Sequence, residues 1–169
     1  SRVKGYKSFT NKIWNASNFL QLNKCSIDSD FNYKNINFPI NQWIINELAN
    51  TKIRVEKNMS KYLFHEVANE LYHFIWHTYC DWYIEFAKSL FSKNKYESKE
   101  TKSVSMWVFR EILKLSHPII PFITEKLWTS LFNKDHFLMN EVVENIDLQD
   151  NYTVSQNNFK KLIQIISSI

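Results

Sequence analysis

Four side chains near the start of the chain, Ser8, Lys12, Asn15 and Phe19, recur every three to four residues. On a helix turning about 100° per residue they share one stripe, on the side opposite an apolar face centred on Ile13 and Leu20. Lys4, Asn11 and Asn18 lie beside it, and Lys7 adds a further cation. This mixture suits a single-stranded RNA loop. A cation meets phosphate, amides hydrogen-bond base edges, and an aromatic ring off the core face stacks on a base for roughly 1–3 kcal/mol. A solvated polar face with Phe19 packed on a neighbouring helix accounts for the same pattern.

Other chemistry-bearing residues make weaker constellations. His65-Glu66 begins the zinc-protease pattern, but the second histidine one turn later is replaced by Asn69, so the match fails. His73, His77 and Cys80 share a helical flank at i, i+4, i+7, with Asp81 adjacent, but no fourth ligand is nominated and no metal site is expected. Asp81 and Glu85, spaced i, i+4, could pair as acids, although capping, buried hydrogen bonds or exposure explain them as well. Gly5 is the single glycine, which excludes a glycine-rich phosphate loop. No catalytic triad stands out. The chain does not read as a catalyst.

The elements that must carry these residues are helices. With one glycine and three prolines in 169 residues, tight β-hairpins have no supply of turn residues. Helical periods run over about 4–22 (Tyr6, Phe9, Ile13, Ala16 and Leu20 inward) and from Pro39 to about Asn58 (Trp43, Ile44, Leu48, Thr51 and Val55 inward). A third runs from about Lys61 to Phe91, with Ser60 as its expected N-cap. After a charged loop over 92–99, a fourth ends near Ser116, where His117-Pro118 breaks it, and Pro121 opens a fifth through Leu131. Residues 133–153 show no clear period, and 154–169 resume as an apolar-striped helix start. The expectation is an all-α helical bundle of about five helices over 1–132, followed by an irregular connection and the start of a further helix over 133–169.

Charge is unevenly spread. Residues 1–27 carry Arg2, Lys4, Lys7, Lys12 and Lys24 with no acid, although the whole chain is only +4. Segment 141–150 holds Glu141, Glu144, Asp147 and Asp150 with no base, so the first helix is the end expected to face a polyanion. Cys25 and Cys80 read as free thiols of an intracellular protein. No stretch is long and apolar enough for a bilayer, so no membrane partner and a cytoplasmic location are expected. Ser1 at the start and an apolar run ending at Ile169 read as cuts in a longer protein.

Read as strings, four segments resemble class I valyl-tRNA synthetases in order and spacing. They are Arg2-Val3-Lys4-Gly5-Tyr6 leading to Asn11-Lys12-Ile13-Trp14-Asn15-Ala16 and Phe19, then Trp43-Ile44-Ile45. Cys80-Asp81-Trp82-Tyr83-Ile84-Glu85 with Lys88 follows, and then His117-Pro118-Ile119-Ile120-Pro121-Phe122-Ile123-Thr124-Glu125-Lys126-Leu127-Trp128. The His-Pro segment is shared with isoleucyl and leucyl relatives, whereas the Cys-Asp-Trp-Tyr segment points to valine. Asn58-Met59-Ser60-Lys61 is similar to the ATP loop of that class, but Tyr62 replaces its last serine and the stretch lies between bundle helices.

The resemblance implies an anticodon-binding bundle that holds the anticodon stem-loop of valine tRNA, with catalytic and editing domains elsewhere in the same parent chain. It implies ATP and magnesium for that parent enzyme and no cofactor or ligase activity for this stretch. Lys12, Asn15 and Phe19 match the family's recognition positions, while Asn18 stands where the family often has arginine. The expected RNA-binding set is Lys4, Lys7, Ser8, Asn11, Lys12, Asn15, Asn18 and Phe19. An isoleucyl-tRNA synthetase domain or a helical protein-interaction module are the alternatives.

Overall fold

The computed structural model describes residues 2–92, 95–132 and 135–168, with the side chains of 2–6 and 95 outside that description. Helix α1 spans Arg2–Leu22, α2 Pro39–Met59 and α3 Phe64–Tyr72. The chain continues without a break into a π-helical segment, His73–Tyr83, and then α4, Ile84–Phe91. Helices α5 (Lys95–Ser116), α6 (Pro121–Leu131) and α7 (Thr153–Ser167) complete the fold. With the α3–π–α4 rod taken as one, this is the expected bundle, and no strand occurs among the described residues.

α1 contains Gly5, Thr10, Asn11, Asn15 and Asn18, weak helix formers that each cost up to about 1 kcal/mol relative to alanine. Tertiary packing offsets this. Ile13 and Leu20 are fully buried, a contribution of about 1.5–3 kcal/mol each. Pro39 opens α2, where its missing N–H removes no helical bond. All five residues read as inward on α2 are buried. α2 packs on α7, α3, the π segment and α5, while α5 packs on α4, α6, α2 and α1, so these two helices form the centre.

A buried polar network fixes the π segment to that centre. Tyr83 Oη donates to Asn41 Oδ1 at 3.0 Å, and Asn41 Nδ2 donates to Glu100 and Thr101. Tyr79 Oη donates to the Ser105 carbonyl at 2.8 Å. Burial pushes both phenols well above the ordinary tyrosine range. Two tyrosines anchored inward leave Trp76, His77 and Asp81 on the outer side of the rod.

Several local expectations change. Ser60 does not cap the third helix: it follows the end of α2, its Oγ bonds the Lys57 carbonyl, and α3 starts three residues after Lys61. The reason is that α2 ends in a left-handed turn at Tyr62. α5 begins at Lys95, inside the stretch read as loop. The aperiodic stretch before α7 has short 3-10 turns at Leu138–Asn140 and Asp150–Tyr152 and is pinned both by its own side chains and by those of α2. Tyr152 Oη accepts from the Ile36 N–H at 2.8 Å and donates to the Tyr33 carbonyl, and Asn46 exchanges two hydrogen bonds with the Gln149 backbone. Buried Lys52 reaches the Glu144 carbonyl and Asn145. α7 follows and stacks Phe159 on Trp43 of α2 at 5.2 Å.

Candidate nucleic-acid interface

α1 lies along the π segment, α5 and α6, and its exposed arc is amide-rich, with Lys7 as the exposed cation among its described side chains. Lys7, Ser8, Asn11, Asn15 and Asn18 are all exposed on it. Trp14, 42% exposed, shares the arc and was not among the expected residues. The side chain of Lys4 lies outside the described residues. The acidic stretch 141–150 lies elsewhere, over α2 and the 23–38 connection, where Asp147 pairs with Lys34 at 2.9 Å.

The stripe read from the wheel splits. Ser8 and Asn15 are on the outer arc, whereas Lys12 and Phe19 sit half-buried at the seam with the rod. Lys12 Nζ bonds Asp81 Oδ1 at 2.7 Å and lies 5.2 Å from the centre of the Trp76 ring. The Asp81 carboxylate raises the Lys12 pKa above the ordinary lysine value, against a smaller opposing effect of burial. His77 Nδ1 approaches the other Asp81 oxygen at 3.3 Å. Phe19 packs on Phe91 with ring centres 5.7 Å apart, and Lys88 Nζ lies 5.5 Å from the centre of its ring. The packing of Phe19 on a neighbouring helix is therefore real, and it leaves one ring face towards a cation.

An aromatic row extends the seam. Phe9 of α1 meets Tyr72 at 5.3 Å, Tyr72 stacks on Trp76 at 5.4 Å, and the His73 and His77 rings lie 5.5 Å apart. Sequence reading missed Tyr72 and Trp76 as site residues and weighed His77 and Asp81 for other chemistry. The available signal was the apolar pairs Phe74-Ile75, Tyr79-Cys80 and Tyr83-Ile84, which repeat every four to five residues. That is the longer period of a helix bonded i to i+5.

The same period separates the metal candidates. Cys80 is buried while His73 and His77 are exposed, and burial pushes the Cys80 thiol up to about 12. Among the described residues no three His, Cys, Asp or Glu side chains gather as a metal site. Asp81 and Glu85 do not pair as acids: each faces a separate cation, Lys12 and Lys88 respectively. No helix among the described residues is long and apolar enough to cross a membrane.

Comparison with known proteins identifies the kind of domain. The family described as the anticodon-binding domain of tRNA ligase matches residues 41–169. The chain is 41% identical over 174 residues to a valine–tRNA ligase of Pelagibacter ubique, covering 99% of this chain and 19% of that protein. It is 37% identical over 175 residues to the valine–tRNA ligase of Zymomonas mobilis, at 99% and 20% coverage. Against that of Bradyrhizobium diazoefficiens it is 40% identical over 139 residues, at 82% and 14% coverage. The chain thus spans about a fifth, or less, of the length of these relatives. The family match begins inside α2, while the first two relatives align along nearly the whole chain, α1 included. On these matches the chain belongs to the anticodon-binding domains of tRNA ligases.

Proposed function

We propose that this domain binds the anticodon stem-loop of valine tRNA through the seam between α1 and the π segment. The observation that carries the proposal is a pair of cation–ring contacts along the seam, Lys12 over Trp76 and Lys88 over Phe19, beside the exposed amides Asn11, Asn15 and Asn18. Valine codons share their first two bases, so the matching anticodon bases are adenine and cytosine. Each presents an amino donor next to a ring-nitrogen acceptor, and a primary amide complements both. Lys7 and Lys12 supply charge for phosphates, with Asp81 giving up Lys12 when RNA arrives. Ser8 and the Lys4 position extend the same face.

In this proposal residues 1–132 hold the RNA and 133–169 brace α2. The parent chain supplies the catalytic and editing domains, uses ATP and magnesium to activate valine, and works in the cytoplasm. The relatives named above are all valine–tRNA ligases, which favours valine over isoleucine.

The test is a titration of the chain with a valine anticodon hairpin and with the same hairpin carrying two changed identity bases, at low and moderate salt. Trp76 gives the local readout, as its fluorescence quenches on stacking and Trp76→Phe removes that component. Tighter binding of the valine hairpin at moderate salt supports the proposal. Equal binding that vanishes with salt refutes anticodon reading by this domain.

A further inference from the structure

α2 ends in a helix stop that ordinarily uses glycine. The Leu63 N–H donates to the Asn58 carbonyl and the Tyr62 N–H to the Met59 carbonyl, both at 2.9 Å. The residue between the two bonds must be left-handed, where a β-carbon crowds the backbone. Here it is Tyr62, at φ 56°. The same pattern closes α1 at Lys24, φ 53°, so neither stop uses the chain's one glycine. A large aromatic residue in this region is an outlier among non-glycine residues. Its side chain returns little to the fold: Tyr62 is 80% exposed and meets Phe64 edge-on at 6.3 Å.

The turn carries two cations. Lys57 and Lys61 are flanked by Glu56 and Glu66, which pair with Lys52 and His65, and both lysines are exposed and outside any ion pair among the described residues. The turn also continues the seam. From it, α3 exposes His65, Asn69 and Tyr72 on one face at i, i+4, i+7, and Tyr72 stacks on Trp76. Phe64 and Tyr72 are eight residues apart, about 12 Å along a helix.

We propose that the α2–α3 turn is a second RNA contact, with Tyr62 stacking on a nucleobase and Lys57 and Lys61 on phosphates outside the bases met by α1. This rests on the RNA-binding function proposed above. The left-handed backbone holds the ring outward before RNA arrives, so little ordering is left to be done on binding.

Tyr62→Gly separates this role from a structural one, because the two predict opposite signs. Glycine relieves the backbone and raises the melting temperature by about 2–4 °C. Loss of the stack weakens binding of the valine hairpin about tenfold. The ratio between matched and changed loops stays the same, and Tyr62→Phe binds like the unmodified chain. Lys57→Ala with Lys61→Ala lowers the log–log salt slope by about 1.4. Ultraviolet crosslinking of the complex yields a peptide adduct at Tyr62. Unchanged affinity and slope in these variants, alongside weakened binding by Lys12→Ala, overturns the second contact alone. Failure of the unmodified chain to bind any hairpin overturns both proposals.

Discussion

Lys12 and Asp81, 69 residues apart in the chain, form a 2.7 Å ion pair at the edge of the exposed arc of α1. Both side chains are about one-third exposed, at 33% and 35%. Water screens such a pair, so it contributes no more than about 1 kcal/mol to stability. Its main structural effect is to fix the ammonium over Trp76.

Asp81→Asn keeps a hydrogen-bonding group of the same shape but frees the Lys12 charge. The expected result is severalfold tighter binding to every hairpin at low salt, a steeper salt dependence, and a melting temperature within a few degrees of the unmodified chain. Lys12→Ala does the reverse, flattening the salt slope by about 0.7. Titrations over a salt series check both. An Asp81→Asn chain with unchanged affinity means that Asp81 does not restrain Lys12.

Phe19 packs on Phe91 and, in the proposed interface, offers a ring face to RNA; two substitutions divide the packing from the proposed stacking. Phe19→Ala removes packing on Phe91 as well as the exposed ring face, so stability and affinity both fall. Because the ring is half-buried, the stability loss is about 1–2 kcal/mol, below the 3–5 typical of a core phenylalanine. Phe19→Leu retains most of the packing and loses only the aromatic face. Urea unfolding should place Phe19→Leu near the unmodified chain while hairpin binding stays weakened. Full affinity in the leucine variant would remove stacking by Phe19 from the mechanism.

Tyr83→Phe tests the network that aims the rod. It deletes the donor to Asn41 Oδ1 and the contact with Ser105 Oγ at 3.1 Å, in a fully buried place. Leaving that acceptor unmatched costs about 1–3 kcal/mol. The denaturant midpoint should drop with an unchanged slope. A loss under about 0.5 kcal/mol would show that the network does not position the π segment.

Alkaline pH should destabilise the fold through its thiols. Burial holds Cys25 and Cys80 at about 12, whereas an unfolded thiol ionises near 8.5. Above that lower value the unfolded chain sheds protons that the folded chain keeps, so stability falls as pH rises. Each thiol contributes a slope of about 1.4 kcal/mol per pH unit up to its folded value. Urea midpoints between pH 7.5 and 10.5 should decline from near pH 9, and less steeply in Cys80→Ala. The Lys12 pair adds nothing in this window, since a raised lysine pKa keeps its contribution until the pH passes the ordinary lysine range. A decline that Cys80→Ala leaves unaltered would assign the effect to other groups.

The fold was largely legible because helix-forming information is local. Periodic Ile13, Ala16 and Leu20, Pro39 at a helix start, and His117-Pro118 at a helix end each act within a turn or two, and each stands where the sequence placed it. The basic, amide-rich composition of α1 and its resemblance to valyl-tRNA synthetases also belong to the sequence alone. Which members of the stripe stay in solvent did not follow. A helical wheel gives angles about one axis, but burial depends on which neighbours flank that axis. The rod covers the edge carrying Lys12 and Phe19 and leaves Asn11, Asn15 and Asn18 outside. Asp81 and Trp76 reach Lys12 only because a π register, set by Tyr79 and Tyr83 bonding into the core, turns them to that seam. A contact made across 69 residues leaves no local period, so tertiary packing alone decided it.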